Sequence, residues 1–258
     1  MQTSKQTVLI TGGSSGIGFE LAKQLLALGN TVIVTGRDAV RLDAAKQKLP
    51  GLHTVQSDAG DPQAIASLFA TVTRDFPALN ILINNAGVMR KINLQTQGAD
   101  LHDISCEIEL NLNGPIRMVQ QFLPHLKAQA SAAIMNVSSG LAFVPLPISP
   151  VYCATKAGLH SYSLSLRAQL KRSSIKVFEL APPLTETELL AGFESKDMEG
   201  IKAMPVAELV KHAIAGLAAD KFEIRPGSSN ALKMMNRVAP EFILGQLSKS
   251  VDGMLAKA

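Results

Sequence analysis

The sequence predicts an α/β protein built on a doubly wound parallel sheet. Short, continuous apolar runs rich in β-branched residues alternate with longer stretches of helical periodicity along the 258 residues. This alternation is typical of parallel strands covered by helices on both faces. A glycine-rich loop follows the first apolar run directly and precedes the first helical stretch. Because strand–helix–strand crossovers are right-handed, the helices then fall on both faces of one sheet.

Composition and charge restrict the class of protein. The chain has 47% hydrophobic and 18% charged residues, a net charge of +4 and two cysteines. These values are typical of a globular domain without a nucleic-acid footprint, a disulfide framework or a zinc site. No apolar run approaches the roughly 18 residues of a membrane-spanning helix, and no signal-peptide pattern precedes the first strand. We expect a cytoplasmic, single-domain protein with no metal, no membrane span and no nucleic-acid partner.

The first half of the chain contains four predicted strands and three predicted helices. The strands are residues 7–11, 31–35, 53–56 and 79–83; the helices are 17–29, 39–48 and one that begins at Asp61-Pro62. Asp61 suits the N-cap of that helix and Pro62 its first position. Ligands of such sheets bind at the carboxyl ends of the strands, so the residues after each strand are candidates for a site.

The second half continues the alternation. It has a helical stretch at about 99–129, a strand at 133–137, a helix at 155–171, a strand at 175–180, a helix at 206–219 and a strand at 222–224. Pro115 and Pro124 must kink or shorten the first of these helices. Residues 183–205 form an unpatterned stretch, a length typical of functional lids. We assign 1–225 to one domain that includes this substrate loop, and 226–258 to its helical extension.

The C-terminal extension carries apolar residues at helical spacing. Such an apolar stripe predicts helix that packs on the body of the protein or on a second subunit. The tail also contains scattered basic residues, so binding to nucleic acid or to a membrane surface is an alternative interpretation. A tail of this kind more often completes a dimer interface.

The glycine-rich loop reads Thr11-Gly12-Gly13-Ser14-Ser15-Gly16-Ile17-Gly18. Glycines at this position permit a tight turn and let the backbone approach a pyrophosphate at the helix N-terminus. A helix that merely needs a flexible entry could use the same residues. The position between a predicted strand and helix, at the start of a strand–helix–strand unit, favours dinucleotide binding.

Further motifs follow in chain order. Asn84-Asn85-Ala86-Gly87 follows the fourth strand, Asn111 lies in the next helix, Ser138-Ser139 follows the fifth strand, and Tyr152 and Lys156 are four residues apart. Because of these motifs and the spacing of the glycines, the chain from about residue 5 to 225 resembles the short-chain dehydrogenase/reductase superfamily. The resemblance implies a Rossmann-like fold and an NAD(P)-dependent enzyme that interconverts a carbonyl and an alcohol. Thr-Gly-Arg after the second strand and the late Leu-Ala-Pro-Pro-Leu-Thr-Glu-Thr also resemble bacterial reductases encoded beside teichoic-acid D-alanylation genes.

Tyr152 and Lys156 are the candidate acid–base pair. Their spacing places them on one helix face, although such pairs also occur on ordinary amphipathic helices. A neighbouring ammonium favours the phenolate and lowers the pKa of tyrosine from about 10, as a general acid/base requires. The resemblance implies that Tyr152 is the general acid/base assisted by Lys156, that Ser139 hydrogen-bonds the substrate oxygen and that Asn111 holds a water of the proton relay.

The residues after the second strand bear on the choice of nicotinamide cofactor. An acidic residue there bonds the ribose 2′-hydroxyl of NAD, whereas an arginine accommodates the 2′-phosphate of NADP. This chain has Gly36 and Arg37 at the site, and Asp38 is interpreted as the next N-cap. A solvated surface arginine is the alternative interpretation of Arg37. Many NADP-dependent relatives add a second basic residue to the glycine loop, where this chain has serines. We predict NADP(H) in preference to NAD(H).

The remaining cofactor contacts are implied by the resemblance. Asp58 and Ala59 would meet the adenine, Asn84 the adenine-side ribose, and Thr185 and Thr187 the carboxamide and the phosphates. Pro183 replaces the glycine of the family's Pro-Gly motif, which removes an N–H donor and restricts Pro182. The full predicted cofactor set is Gly12, Ser14, Ser15, Gly16, Ile17, Gly18, Arg37, Asp58, Ala59, Asn84, Ala86, Gly87, Tyr152, Lys156, Pro182, Thr185 and Thr187.

The substrate and the partners are less constrained. Apolar residues after Ser139 and in the late loop favour a small-molecule substrate, a hydrophobic or mid-sized carbonyl or alcohol with apolar parts. Arg90 and Lys91 would meet an acidic substrate, or they form a solvated basic pair. A cofactor-binding regulator without turnover is the alternative function; the complete set of Asn111, Ser139, Tyr152 and Lys156 argues against it. Relatives associate through the helices of Asn111 and Tyr152, which implies a homodimer or homotetramer.

Overall fold

In the part of the chain that the structure describes, seven parallel strands form one sheet in the order β3-β2-β1-β4-β5-β6-β7. The computed structural model describes residues 1–96, 100–193 and 202–255, so parts of the predicted helix at 99–129, of the predicted loop 183–205 and of the tail lie outside the described residues. The strands are β1 (Thr7–Thr11), β2 (Thr31–Gly36), β3 (His53–Gln56), β4 (Leu79–Asn84), β5 (Ala132–Val137), β6 (Ile175–Leu180) and β7 (Glu223–Ile224). The predicted doubly wound parallel sheet is confirmed.

Helices connect the strands and cover both faces of the sheet. Within the described residues they are α1 (Gly16–Ala27), α2 (Ala39–Lys48), α3 (Pro62–Asp75), α4 (Leu101–Ile108), α5 (Gly114–Lys127), α6 (Pro150–Gln169), α7 (Val206–Ala218), α8 (Ser228–Val238) and α9 (Pro240–Leu255). A π-helical turn, Glu109–Asn113, joins α4 to α5, and 3-10 turns lie at Gly140–Ala142 and Glu188–Leu190.

The two faces of the sheet form two separate apolar cores. Val8 and Ile10 of β1 pack with side chains of α1, α2 and α7, whereas Leu9 packs with side chains of α3, α5 and α6. All three are fully buried. Successive strand residues point to opposite faces, so a continuous apolar run is what a sheet covered on both sides requires.

Proline positions account for the main differences from the sequence prediction. The predicted helix at 99–129 is divided by the π-helical turn before Pro115. Pro115 has no N–H to donate to the Asn111 carbonyl four residues earlier, so a regular α-helix cannot continue there. Pro124 lies inside α5. The helix expected at 155–171 begins earlier, at Pro150, which suits a first helical position. Pro240 divides the tail into α8 and α9.

The apolar stripe of the tail packs on the body of the protein. Leu232, Ile243 and Leu247 contact a buried cluster that contains Phe143 and Val144, just after β5. The 3-10 turn at Gly140–Ala142 and α8 lie so close that a Cβ on Gly140 would be 2.7 Å from the Ser229 hydroxyl oxygen. The tail therefore covers the segment that follows the predicted catalytic serine.

Candidate active site

A cleft of about 770 Å³ lies at the carboxyl ends of β1 to β6. The sheet changes its winding direction here, because β1 pairs with β2 on one side and with β4 on the other. Such a switch point is where open α/β sheets bind their ligands.

The glycine loop forms the part of the cleft between β1 and α1. Gly12 and Gly16 have φ values of +65° and +54°, a region that suits glycine, and a Cβ on Gly12 would lie 2.8 Å from the Ala86 Cα. Ser15 is the N-cap of α1, but its side chain makes no capping hydrogen bond. The first N–H groups of α1 thus have no capping side-chain acceptor. The loop and this helix N-terminus fit a pyrophosphate.

Tyr152 and Lys156 lie in the first two turns of α6 and are both almost fully buried. The Lys156 Nζ donates a hydrogen bond of 2.9 Å to the Val137 carbonyl and lies 5.6 Å from the centre of the Tyr152 ring. Burial lowers the pKa of Lys156 to about 8. Both side chains line the cleft.

The pKa of Tyr152 shifts in the direction opposite to the sequence expectation. Burial raises the pKa of the phenol well above its usual value, and the Ser139 hydroxyl only partly opposes this shift. The expectation of a lowered pKa considered the Lys156 ammonium alone. Removal of the phenolate from water has the larger effect, and it favours the neutral form.

Ser139 and Asn111 have different relations to the cleft. Ser139 lines it, and the Ser139 Oγ accepts a hydrogen bond of 3.1 Å from the Leu141 N–H. Asn111 is fully buried behind the cleft lining. Its Oδ1 accepts from the Val88 N–H at 2.9 Å, and its Nδ2 donates to the Val88 carbonyl at 2.8 Å and to the Thr155 Oγ1 at 3.3 Å. Asn111 therefore fastens the loop after β4 to α6.

Arginines and acidic residues surround the end of the cleft beside β2 and β3. The Arg37 Nη1 lies 4.0 Å from the Asp58 Oδ2. The Asp38 Oδ1 accepts a 3.1 Å hydrogen bond from the Arg41 N–H, so Asp38 is the N-cap of α2, as predicted. Arg41 also lines the cleft and pairs with Glu188, a contact that sequence reasoning missed.

Most of the predicted site residues lie together in the cleft lining. They are Gly12, Ser14, Ser15, Gly16, Ile17, Arg37, Asp58, Ala59, Ala86, Gly87, Ser139, Tyr152, Lys156, Pro182, Thr185 and Thr187. Pro182 and Pro183, which stand where the family resemblance expects Pro-Gly, both line the cleft.

Two of the predicted cofactor residues, Asn84 and Gly18, do not lie in the cleft lining. Asn84 is the buried last residue of β4, and its Nδ2 donates a 2.9 Å hydrogen bond to the Asn136 Oδ1. Its neighbour Asn85 lines the cleft instead and donates to the Gly12 carbonyl. A Cβ on Gly18 would lie 2.3 Å from the Gly12 carbonyl oxygen, so this glycine supports the loop from beneath.

The other end of the cleft is apolar. Its lining combines Leu141, Leu146 and Leu189 with three residues of α8 and α9: Leu232, Ile243 and Leu247. Sequence reasoning missed this use of the tail, because helical spacing does not identify the surface on which a stripe packs. The charged residues in the described lining are Arg37, Asp38, Arg41, Asp58, Lys156 and Glu188. Lys156 alone among them belongs to the predicted catalytic group.

Arg90 does not line the cleft, which removes the support for an acidic substrate at this residue. The Arg90 Nη1 lies 2.8 Å from the Asp103 Oδ1, and the Arg90 N–H donates to the buried Glu107 at 2.9 Å. Burial raises the pKa of Glu107. These contacts engage Arg90 in holding the loop after β4 against α4.

The family model of the short chain dehydrogenases matches residues 6–198. The chain belongs to the short chain dehydrogenase family. The uncharacterized oxidoreductase DltE of Bacillus subtilis (strain 168) is 43% identical to this chain over 250 residues, which cover 96% of this chain and 98% of that protein. The predicted superfamily is confirmed, and so is the closer relationship of this chain to bacterial reductases of the DltE kind.

Solved structures of short chain dehydrogenases share the fold. A Burkholderia cenocepacia J2315 enzyme in complex with NADP has a TM-score of 0.82 and 24% identity, over 96% of this chain and 99% of that one. A Burkholderia phymatum enzyme in complex with NAD has a TM-score of 0.80 and 19% identity, over 92% and 95%. The two neighbours hold different nicotinamide cofactors, so this similarity supports the fold and not a preference for one of them.

Within the part of the chain that the structure describes, no helix combines the length and the apolar character needed to cross a bilayer.

Proposed function

We propose that this short chain dehydrogenase is an NADP(H)-dependent oxidoreductase that interconverts an uncharged, partly apolar carbonyl compound and its alcohol. One observation carries the proposal: Ser139, Tyr152 and Lys156 line the same cleft as the glycine loop and Arg37. The nicotinamide cofactor, when bound, would supply or accept the hydride. The glycine loop and the N-terminus of α1 would hold its pyrophosphate, and Arg37 its 2′-phosphate.

The proton chemistry is assigned to the chain's own side chains. The Ser139 hydroxyl orients the carbonyl oxygen by a hydrogen bond, and the Tyr152 phenol donates its proton to the alkoxide that reduction creates. Because burial raises the pKa of Tyr152, the phenol is protonated at neutral pH and suited to act as an acid. Lys156, whose pKa is about 8, is mainly an ammonium at pH 7 and stabilises the phenolate that remains. These states favour reduction of the carbonyl.

Asn111 acts through the loop that it holds. Its two hydrogen bonds to Val88 fix the cleft wall beside Gly87, where a Cβ would lie 3.2 Å from the Asn111 Oδ1 and 3.5 Å from the Lys156 Nζ. The proton-relay water that the family resemblance assigns to Asn111 remains part of this proposal.

The cofactor preference depends on Arg37. Replacement of Arg37 by Ala should raise the Kd for NADPH about tenfold or more, because a charge-assisted contact to the 2′-phosphate is lost, and leave the Kd for NADH almost unchanged. Fluorescence titration with both cofactors at equal pH and salt measures the two Kd values. Arg74→Ala removes an exposed arginine of α3 outside the cleft lining and serves as the control. Equal losses for NADPH and NADH would contradict the phosphate role.

The substrate class follows from the apolar end of the cleft. Leu247 of α9 lines this end, whereas Leu244 of the same helix is exposed outside the lining. Leu247→Asp should raise the KM for an apolar ketone about tenfold, the cost of losing one leucine contact, and leave the Kd for NADPH unchanged. Leu244→Asp introduces the same charge and should change neither value. A substrate that does not contact α9 would show equal KM values for both variants.

Two further features belong to the same proposal. The chain forms one domain, with 226–258 as its helical extension, and acts in the cytoplasm. It assembles as a homodimer or homotetramer through α4–α5 and α6, an arrangement supported by the exposed apolar side chains Leu101, Ile108 and Leu164 on these helices. Light scattering at several concentrations measures the assembly.

A cofactor-binding regulator, the alternative function, would bind NADPH without turning over any carbonyl.

A further inference from the structure

An ion pair joins two opposite walls of the cleft. Arg41 of α2 pairs with Glu188 of the second 3-10 turn, and both side chains line the cleft. Arg41 follows β2 and Glu188 follows β6, and β1, β4 and β5 lie between these strands. Four strand spacings of about 4.8 Å separate β2 from β6 by about 19 Å. The pair therefore forms a strap across the mouth of the cleft.

The strap begins beside the proposed 2′-phosphate site. Arg37 and Arg41 follow the same strand, and each faces one carboxylate: Asp58 lies 4.0 Å from Arg37, and Glu188 pairs with Arg41. The Asp38 carboxylate accepts a hydrogen bond from the Arg41 backbone N–H. A phosphate monoester carries about −1.5 to −2 charges near pH 7, more than one carboxylate. It also offers oxygens that a guanidinium binds in a bidentate manner.

We propose that Arg41 is a second specificity-determining residue for the 2′-phosphate of NADP(H), and that Glu188 competes with this phosphate for the Arg41 guanidinium. This inference rests on the proposed function. When NADP(H) binds, its 2′-phosphate would replace Glu188 as the partner of Arg41. The Glu188–Leu190 turn would then be released from α2. NAD(H) lacks the competing phosphate and leaves the strap in place. Leu189 and Leu190 line the cleft beside the strap, so cofactor identity is coupled to the position of a substrate-pocket segment.

The test is a double-mutant cycle on the full-length protein. Calorimetric titration gives Kd values for NADPH and NADH with the wild type, Arg41→Gln, Glu188→Gln and the double variant. An exposed ion pair contributes little, so Glu188→Gln should tighten NADPH binding about two- to fivefold and leave NADH unchanged. Arg41→Gln should weaken NADPH binding about tenfold. In the Arg41→Gln background, Glu188→Gln should have no further effect. Both side chains are exposed, so the variants are expected to fold.

Glu186 supplies the matched control. It lies two residues from Glu188 and is exposed outside the cleft lining, so Glu186→Gln makes the same charge change without touching the strap. A gain in NADPH affinity that Glu186→Gln reproduces, that extends equally to NADH, or that persists without Arg41 would overturn the competition. In each of these outcomes the wild type still binds NADPH more tightly than NADH, so the proposed cofactor preference would stand. Equal binding of both cofactors by the wild type would instead overturn the proposed preference, and the competition with it.

Discussion

Replacement of Tyr152 by Phe is expected to lower the turnover rate by orders of magnitude and to preserve cofactor binding. The substitution removes the phenolic proton donor and retains the ring that packs near Lys156 and in the buried cluster with Leu146 and Ile148. General acid catalysis by one side chain contributes about 10²- to 10⁴-fold to a rate, so the loss of NADPH oxidation should be of that order. Initial rates and NADPH titrations of the same preparation separate the two effects.

Tyr162 provides the control for this experiment. It is the second of the two tyrosines, lies on the same helix and packs against the core beneath the sheet. Tyr162→Phe should leave the rate within about twofold of the wild type, because its hydroxyl lies outside the cleft lining. If Tyr152→Phe kept a rate comparable to that of Tyr162→Phe, a different group would have to donate the proton.

Replacement of Gly18 by Ala is expected to destabilise the whole protein. The added Cβ would lie 2.3 Å from the Gly12 carbonyl oxygen and 2.6 Å from the Asn85 Nδ2. Asn85 donates hydrogen bonds to the Thr11 and Gly12 carbonyls, so relief of the clash must shift the glycine loop itself. Overpacking of this kind costs about 1–3 kcal/mol. Urea denaturation measures the free energy of unfolding, and an NADPH titration should show weaker binding in parallel.

Gly245 of α9 is the matched control, because a Cβ there meets nothing within 4 Å. Gly245→Ala should stabilise the protein by about 0.5–1 kcal/mol through the helix propensity of alanine. A Gly18→Ala variant of wild-type stability that binds NADPH poorly would assign Gly18 to the cofactor contact that the sequence predicted. Equal stability and equal binding would show that the loop tolerates the methyl group.

The sequence predicted the sheet well where the signal is local. Continuous apolar runs require burial on both faces, so β1, β2 and β4 were predicted within one residue of their bounds. The glycine loop is also a local signal, because its residues follow one another within a single turn. Asn84 and Asn85 illustrate the limit. Adjacent residues at a strand end point to opposite sides, and the sequence does not show which of the two amides is buried and which lines the cleft.

Effects that depend on distant parts of the chain were not predictable. The pKa of Tyr152 depends on how completely the folded protein removes the phenol from water, and residue spacing carries no such information. Arg41 and Glu188 are 147 positions apart. Their contact depends on the return of the chain after β6 to the mouth of the cleft. Leu247 reaches the apolar end of the cleft because α9 packs on the cluster that contains Phe143 and Val144, and an apolar stripe alone does not specify that surface.

The central claim is that this protein passes a hydride from NADPH to a carbonyl carbon. The most direct measurement incubates the wild type with a panel of apolar ketones and aldehydes and NADPH deuterated at nicotinamide C4 on each face in turn. Mass spectrometry should find one deuterium on the carbinol carbon of the product, from one face only, and Tyr152→Phe should form this product about 10²- to 10⁴-fold more slowly. Tight NADPH binding without deuterium transfer to any carbonyl of the panel would contradict the claim and favour a cofactor-binding regulator.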